Sequence, residues 1–229
     1  MTGVGAAVAR RALWRTVLTL TGGLRVAGVA ALPSGPCVIA ANHRSHADTA
    51  ALIAALPAGR RPTVAAAADY WFRGGCRAGV CRALCAAFPV RRTGGGSADL
   101  AAAARLLASG HDVIIFPEGS RSRDGRTADF HCGAARLAAA VGVPLIPVGI
   151  SGTGALLPPE GSGRRPRRTK VIVRIGVPVC VMEQAERLVI ADEPGADAAT
   201  TATALARARV ATLVAEGEDW PRPRAGPRS

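Results

Sequence analysis

The sequence has few aromatic side chains and no long apolar run. Phe, Trp and Tyr together make up 3% of its 229 residues. Proteins that bind single-stranded nucleic acid interleave stacking rings with basic residues, so this scarcity argues against a specific nucleic-acid partner. Because no run reaches the length of about 18 apolar residues that spans a bilayer, no transmembrane segment is predicted.

The six cysteines include no Cys-x-x-Cys pair, the arrangement on which common zinc sites are built. Three of them lie close together, at a spacing that fits no common zinc pattern: Cys76, Cys81 and Cys85. We therefore expect small buried thiols and no metal. Arginines near the N-terminus interrupt the apolar core that a secretory signal needs, so a reduced, cytosolic environment is expected.

Positive charge dominates the chain. The formal net charge is +13, and a surface of this kind attracts phosphates and anionic lipid head groups, although an arginine- and alanine-rich composition can also reflect genomic bias. Residues 1–30 are predicted to form an N-terminal amphipathic helical segment, with its helix at Val4 to Leu20. One side of that helix is basic and the other is apolar, which suits either a membrane surface or packing on the domain.

Short apolar runs alternate with helical stretches between residues 31 and 216. The predicted strands are 37–41, 63–67, 112–116, 143–150 and 171–175. This alternation is typical of a single α/β domain with a mixed, mostly parallel sheet flanked by helices. Residues 217–229 are rich in proline and arginine and are predicted to be a disordered basic tail.

A histidine-rich turn, Asn-His-Arg-Ser-His-Ala-Asp at residues 42–48, directly follows the first predicted strand. Ligands of open α/β sheets bind at such strand ends, and His suits proton transfer near neutral pH. His43 and Asp48 can meet across a loop-to-helix junction, where the carboxylate would fix the tautomer of the imidazole. Alternatively, Ser45 and Asp48 form a capping box and His43 is an ordinary loop residue.

Two further polar clusters lie later in the chain. Arg91 and Arg92 precede a Gly-rich loop whose Ser97 can cap the next helix, and this combination suits a phosphate. The stretch Pro-Glu-Gly-Ser-Arg-Ser at residues 117–122 follows a buried strand. It is either a polar turn or a second set of ligand-binding side chains at the same end of the sheet.

Taken in order, these stretches closely resemble the blocks of the lysophospholipid and glycerol-phosphate acyltransferase family. The first three blocks are Asn-His-Arg-Ser-His-x-Asp, Phe-Pro-Val-Arg-Arg and Phe-Pro-Glu-Gly-Ser-Arg-Ser, and Val-Pro-Leu-Ile-Pro-Val resembles the fourth. Four blocks in order, covering about Pro36 to Gly176, are a specific signal. The resemblance implies a glycerol-phosphate acyltransferase-like fold and an O-acyltransferase activity for the domain at residues 31–216.

The resemblance implies that His43 is the general base and that Asp48 orients it. A fatty acyl group would pass directly from acyl-CoA or acyl carrier protein (acyl-ACP) to a lysophospholipid hydroxyl, with no cofactor and no metal. The residues implied in substrate binding match the second, third and fourth blocks: Arg92, Glu118, Gly119, Ser120, Arg121 and Pro144. The acceptor expected from the family is 1-acylglycerol 3-phosphate, which would give phosphatidic acid.

Two departures from the family pattern concern the acceptor site. Arg91 stands where an acidic residue is common, and His131 stands in a pair that is usually rich in lysine. Another lipid or glycolipid hydroxyl is therefore an alternative acceptor, and a non-catalytic basic membrane-binding module is an alternative from another class. A Gly-x-Ser-x-Gly hydrolase elbow is absent from the sequence. The expected location is the cytoplasmic face of a bacterial membrane, where the anionic surface would hold a peripheral protein.

Overall fold

The computed structural model describes residues 3–91, 96–121, 127–159, 161–183 and 197–220. In these residues, seven strands form one sheet: β1 (Leu24–Ala27), β2 (Val38–Ala41), β3 (Thr63–Ala67), β4 (Ala87–Val90), β5 (Val113–Ile115), β6 (Leu145–Ser151) and β7 (Val171–Ile175). Their order is β1-β7-β6-β2-β5-β3-β4. All neighbours are parallel except β6 and β7. The predicted α/β class with a mixed, mostly parallel sheet is confirmed.

Helices cover both faces of the sheet. They are α1 (Val4–Leu20), α2 (Ala47–Ala55), α3 (Ala68–Trp71), α4 (Gly75–Cys85), α5 (Gly96–Ala108), α6 (Gly133–Val141), α7 (Thr153–Leu156) and α8 (Ala198–Glu218). Short 3-10 turns occupy Val29–Ala31 and Ala58–Arg60. No helix in the described part of the chain is long and apolar enough to cross a membrane.

Alternation along β2 explains the two cores. Ile39 and Ala41 point to one face and pack with α2 and Leu18 of α1. Val38 and Ala40 point to the other face and pack with α5, α6 and α8. All four residues are buried, as a central parallel strand requires. The strand is therefore packed between two helical layers. This packing fixes the position of its carboxyl-terminal end and of the histidine turn that follows.

The N-terminal helix packs on the domain, which is one of the two arrangements that its sequence allows. The indole Nε1 of Trp14 donates to the carbonyl of Leu84 at 2.8 Å, and Arg15 donates to the carbonyl of Ala54 at 3.1 Å. The outward side stays exposed, including Leu20 at 66%. Residues 1–30 also contain β1, so this segment contributes a strand as well as a helix.

The chain after residue 216 begins within α8, which ends at Glu218. Trp220 then lies against the guanidinium groups of Arg25 and Arg174, each 5.5 Å from its ring centroid. Residues 217–220 of the predicted tail therefore have defined contacts. The rest of that tail, 221–229, lies outside the described residues.

Candidate active site

Strands β2 to β6 all run in the same direction and end at the same end of the sheet, here called the active-site end. The histidine turn follows β2, and the Pro-Glu-Gly-Ser-Arg turn follows β5. Because β2 and β5 are adjacent, these two turns meet. Asn42 fixes the first turn to β6, since its side-chain amide exchanges two hydrogen bonds with the main chain of Ile150.

His43 and Asp48 form a direct pair. The Nδ1 atom of His43 lies 3.0 Å from Oδ2 of Asp48, which is 0% exposed. A carboxylate can only accept, so Nδ1 carries the proton and Nε2 is left as the basic nitrogen. The main-chain N–H groups of Arg44 and Ser45 donate to the same Oδ2 atom, each at 2.7 Å.

The imidazole of His43 is also held from its face. Its ring stacks on that of Phe116, with centroids 4.1 Å apart and planes 18° apart. The side chain of His43 is 18% exposed, so the ring is enclosed but reachable. Phe116 follows β5 directly, and no role for it was predicted from the sequence. Its place between a buried strand and the Pro-Glu-Gly turn was the available signal.

Glu118 lies beneath the histidine turn. Its Oε1 atom accepts from the main-chain N–H of His43 at 2.7 Å, and Oε2 accepts from that of Ala128 at 3.1 Å. The side chain is buried, with 6% exposed. Burial raises the pKa of this carboxyl, and the two N–H donors oppose the shift only in part.

Gly119 makes the turn after Glu118 possible. Its φ of +69° is the left-handed conformation, which a side chain would strain. An added Cβ would also lie 3.4 Å from the ring of His131. His131 departs from the family pattern in sequence, and in the structure its ring lies at the candidate site.

A cavity of about 910 Å³ lies against these two turns. Polar groups on its wall come from the two turns, from the residue after β4 and from the segment before α6: His43, His46, Gly119, Ser120, Arg121, Arg91 and His131. Apolar side chains come from the strand ends, the aromatic pair and α4: Val64, Tyr70, Trp71, Cys81, Val90, Ile115 and Phe116. The cavity therefore combines a polar, titratable wall with an apolar one, as small-molecule sites do.

Tyr70 and Trp71 form an aromatic pair that lines the cavity. Their rings contact His46, with centroids 6.0 Å and 5.3 Å from its imidazole. His46 is thus part of the cavity wall.

The substrate-binding residues implied by the resemblance do not all line the cavity in the described part of the chain. Gly119, Ser120 and Arg121 line the cavity, whereas Arg92 lies outside the described residues. Arg91 also reaches the cavity, and its guanidinium lies 3.5 Å from the carboxylate of Asp99. Pro144 precedes β6 at the opposite end of the sheet, where its carbonyl accepts from the N–H of Val38, so the structure does not bring Pro144 to the cavity.

The cysteines are only partly as expected. Of the three clustered cysteines, Cys81 is buried and Cys85 half-buried, but Cys76 is exposed, so the expectation of buried thiols is wrong for Cys76. Outside the cluster, Cys37 is buried and Cys180 is exposed. Among the described residues, no group of three or more His, Cys, Asp and Glu side chains could hold a metal ion.

The fold has a clear counterpart among solved structures. The crystal structure of the 1-acyl-sn-glycerophosphate (LPA) acyltransferase PlsC from Thermotoga maritima superposes with a TM-score of 0.71, covering 94% of this chain and 81% of that one at 22% identity. The chain therefore has a PlsC-like α/β fold.

The family follows from the sequence itself. The family model for Acyltransferase matches residues 23–151, more than half of the chain, and the protein belongs to this family of enzymes. The matched region includes β1 to β6, the histidine turn and the Pro-Glu-Gly turn.

Curated relatives match over shorter stretches. The chain is 45% identical over 58 residues to the chloroplastic 1-acyl-sn-glycerol-3-phosphate acyltransferase BAT2 of Brassica napus, covering 25% of this chain and 17% of that protein. It is 42% identical over 74 residues to a 1-acyl-sn-glycerol-3-phosphate acyltransferase of Chlamydomonas reinhardtii, covering 32% and 22%. The matched stretches thus span about one fifth of the length of these relatives.

Proposed function

We propose that the protein transfers a fatty acyl group from acyl-CoA or acyl-ACP to the free hydroxyl of 1-acylglycerol 3-phosphate, giving phosphatidic acid. The observation that carries this proposal is the buried Asp48 on Nδ1 of His43, beside a cavity with one polar and one apolar wall. The names of the curated relatives support the choice of acceptor.

The proposed reaction is a direct transfer with His43 as general base. Nε2 takes the proton of the acceptor hydroxyl as its oxygen attacks the thioester carbonyl. The attack forms the new C–O bond and gives a tetrahedral intermediate. When this intermediate collapses, the C–S bond breaks and the leaving thiolate takes the proton from His43. Asp48 stabilises the imidazolium that exists between these two proton transfers.

The two walls of the cavity suit the two parts of the substrates. The guanidinium groups of Arg121 and Arg91 on the polar wall suit the phosphate of the acceptor, because guanidinium and phosphate form strong charge-assisted hydrogen bonds. Arg92, implied by the resemblance, stays part of this proposal. The apolar wall, with Val64, Val90 and other side chains, suits the acyl chain of the donor.

The decisive experiment is acyl transfer from a long-chain acyl-CoA to 1-acylglycerol 3-phosphate in mixed micelles, following both free thiol and lipid product. The wild-type protein should release thiol and form phosphatidic acid in equal amounts. His43→Ala should lower turnover on the order of a hundredfold or more, the contribution of a general base. His111→Ala is a matched control, because His111 lies just before β5, at the end of the sheet opposite the cavity.

Three outcomes would contradict the proposal or part of it. Near-normal turnover of a folded His43→Ala protein would overturn the general base. Thiol release without phosphatidic acid would overturn the acceptor and favour another lipid or glycolipid hydroxyl, for which the departures at Arg91 and His131 are a reason. If neither acyl-CoA nor acyl-ACP is consumed, the non-catalytic alternative is favoured.

We also propose that the protein works as a peripheral protein on an anionic membrane. The segment between α7 and β7 lies at the active-site end, because its Arg167 N–H donates to the carbonyl of Ala155 and Ser45 donates to the carbonyl of Leu157. Residues 161–168 are exposed and contain four arginines without an acidic residue. Arg168 also donates to the carbonyl of Leu20, which is exposed at the end of α1.

Vesicle flotation tests this surface. Each arginine near an anionic bilayer contributes about 1 kcal/mol, so Arg164→Gln with Arg165→Gln should weaken binding to phosphatidylglycerol vesicles roughly 30-fold. Arg105→Gln is the matched control, because Arg105 is exposed in the last turn of α5, at the opposite end of the sheet. Equal binding of all three proteins, or equal binding to phosphatidylcholine, would contradict the proposal.

A further inference from the structure

The carboxylate of Glu118 is directed at main chain, away from the cavity. Its neighbours Pro117 and Gly119 both line the cavity, while Glu118 itself is not part of the cavity wall. Each of its two oxygens accepts a main-chain N–H, one from His43 and one from Ala128. The side chain is 6% exposed, so little of it could meet a bound molecule.

We propose that Glu118 is a positioning residue that holds the main chain of His43, and that it is not a ligand of the acceptor. This inference rests on the proposed role of His43 as the general base. It differs from the role that the family resemblance implies for Glu118, which is binding of the acceptor phosphate. A carboxylate is a hydrogen-bond acceptor with negative charge, so it repels a phosphate instead of binding it.

Three contacts then fix the catalytic imidazole, each at a different point. Asp48 holds Nδ1, Phe116 holds the ring face, and Glu118 holds the main-chain N–H. Phe116 and Glu118 belong to one segment after β5, so that segment acts on His43 at both the ring and the backbone. Such fixing matters, because a displacement of about 1 Å at a reacting group can lower a rate about a hundredfold.

The second oxygen of Glu118 extends this support to α8. Ala128, which donates to Oε2, has its carbonyl bound by Nε of Arg207 at 3.0 Å. Arg207 belongs to α8, which lies outside the region matched by the family model. A continuous path of hydrogen bonds therefore links the main chain of His43, through Glu118 and Ala128, to α8. This helix packs on the face of the sheet opposite α2.

The test compares Glu118→Ala and Glu118→Gln with wild type in the acyl-transfer assay. A positioning residue acts on the chemical step, so kcat of Glu118→Ala should fall between about tenfold and a hundredfold while KM for the acceptor changes less than about twofold. Glu118→Gln keeps one oxygen that can accept from His43 and should recover part of kcat. A rise in KM for the acceptor with kcat unchanged would overturn the inference and return Glu118 to the acceptor site.

A spectroscopic readout tests the hydrogen bond without relying on activity. The chain has four histidines, so selective ¹⁵N-histidine labelling gives four backbone amide signals, and His43→Ala identifies one of them. A carboxylate 2.7 Å from the amide nitrogen should shift the His43 proton downfield and slow its exchange with solvent. Both effects should be lost in Glu118→Ala and partly kept in Glu118→Gln.

The wild-type protein offers a version of this test that needs no variant. As pH falls through the pKa of Glu118, which burial raises, the neutral carboxyl accepts less strongly and the His43 amide should move upfield. The titratable groups facing Glu118 are His43 and Asp48, and their signals are followed in the same titration. An unmoved His43 amide overturns the inference. If wild type transfers no acyl group while the amide responds as expected, the proposed function fails and the hydrogen bond stands.

Discussion

The Oδ2 atom of Asp48 accepts from Nδ1 of His43 at 3.0 Å and from the main-chain N–H groups of Arg44 and Ser45 at 2.7 Å. One oxygen thus closes the turn and fixes the imidazole. Of the two interpretations that the sequence left open, the structure has the His–Asp pair. Only one bond of a capping box is present, from the N–H of Ser45 to Asp48, because the hydroxyl of Ser45 accepts from the N–H of Ala47.

This shared oxygen predicts a graded response to substitution of Asp48. In Asp48→Asn, the amide oxygen can take the place of Oδ2 and keep all three donors, but it carries no charge to stabilise the imidazolium. Hydrogen bonds to charged groups exceed neutral ones by about 1 to 1.5 kcal/mol, so kcat should fall about tenfold. Asp48→Ala removes three hydrogen bonds and should lower the free energy of unfolding by about 3 kcal/mol.

Steady-state kinetics and urea denaturation of the two proteins check this ordering. Since Asp48 is fully buried, Asn, which is close in size, is the conservative variant and Ala the disruptive one. If kcat of Asp48→Asn were as low as that of His43→Ala, the predicted tenfold loss would be wrong. The negative charge of Asp48 or its control of the His43 tautomer would then contribute more to kcat than the geometry of the turn.

Arg121 allows a test of acceptor recognition. It lines the cavity on the turn after β5, and a charge-assisted hydrogen bond to phosphate contributes about 1.5 to 3 kcal/mol. Arg121→Ala should therefore raise KM for 1-acylglycerol 3-phosphate between about tenfold and a hundredfold. With monoacylglycerol, which lacks the phosphate, the same variant should match wild type. Arg105→Ala should change neither value, and equal losses on both acceptors would argue against a phosphate contact.

The sequence predicts the central strands well because their burial shapes their composition. Strands β2, β3, β5, β6 and β7 all coincide with predicted apolar runs, within a few residues at their ends. The two strands that the sequence analysis missed, Leu24–Ala27 and Ala87–Val90, are the edge strands of the sheet. Edge strands have one partner and more contact with solvent, so their apolar signal is weaker, and an edge position also tolerates the proline in β4.

In the candidate site, too, the sequence predicts some features and misses others. The pair of His43 and Asp48 is local in sequence, so its spacing and the family resemblance were enough to predict it. The contacts of Phe116 and Glu118 with His43 join residues more than 70 positions apart, and Glu118 is separated from His43 by 75. Which oxygen or ring lies next to a strand end depends on sheet order, which no local pattern contains.

The raised pKa of Glu118 predicts a pH dependence of stability. Burial of the ionised carboxyl is unfavourable, so its pKa in the folded protein lies above the ordinary value of 4.5. The stability that this group contributes is fully present below the pKa of the unfolded chain and is lost as pH rises through the folded pKa. Glu118→Gln cannot titrate. The free energy of unfolding of wild type, minus that of Glu118→Gln, should therefore decrease between pH 4 and pH 7 in urea denaturation, and a flat difference would contradict this.

Substitution of Asp112 is expected to have a large effect on stability and a small effect on catalysis. It is buried at the start of β5, binds Nε and a terminal nitrogen of Arg60 at 2.5 Å and 2.9 Å, and accepts from the main-chain N–H of Cys37. Removing one partner of a buried ion pair costs about 3 to 5 kcal/mol. Asp112→Ala should lose about this much in urea denaturation. Its kcat at low temperature, corrected for the folded fraction, should match wild type because Asp112 lies at the end of the sheet opposite the cavity.

Alkylation of the Cys37 thiol measures how accessible the end of the sheet opposite the cavity is to solvent. Burial, reinforced by the negative charge of Asp112, raises the pKa of its thiol to about 12, so almost no thiolate is present near pH 8. In the native protein, iodoacetamide should alkylate the exposed Cys76 and Cys180 first and leave Cys37 unmodified, as mass spectrometry of peptides would show. Asp112→Ala removes the carboxylate but also loosens the packing over Cys37, and these changes act in the same direction. Alkylation of Cys37 should therefore become measurable in that variant, and a thiol that stays protected there would show that β2 remains closed without the Arg60–Asp112 pair.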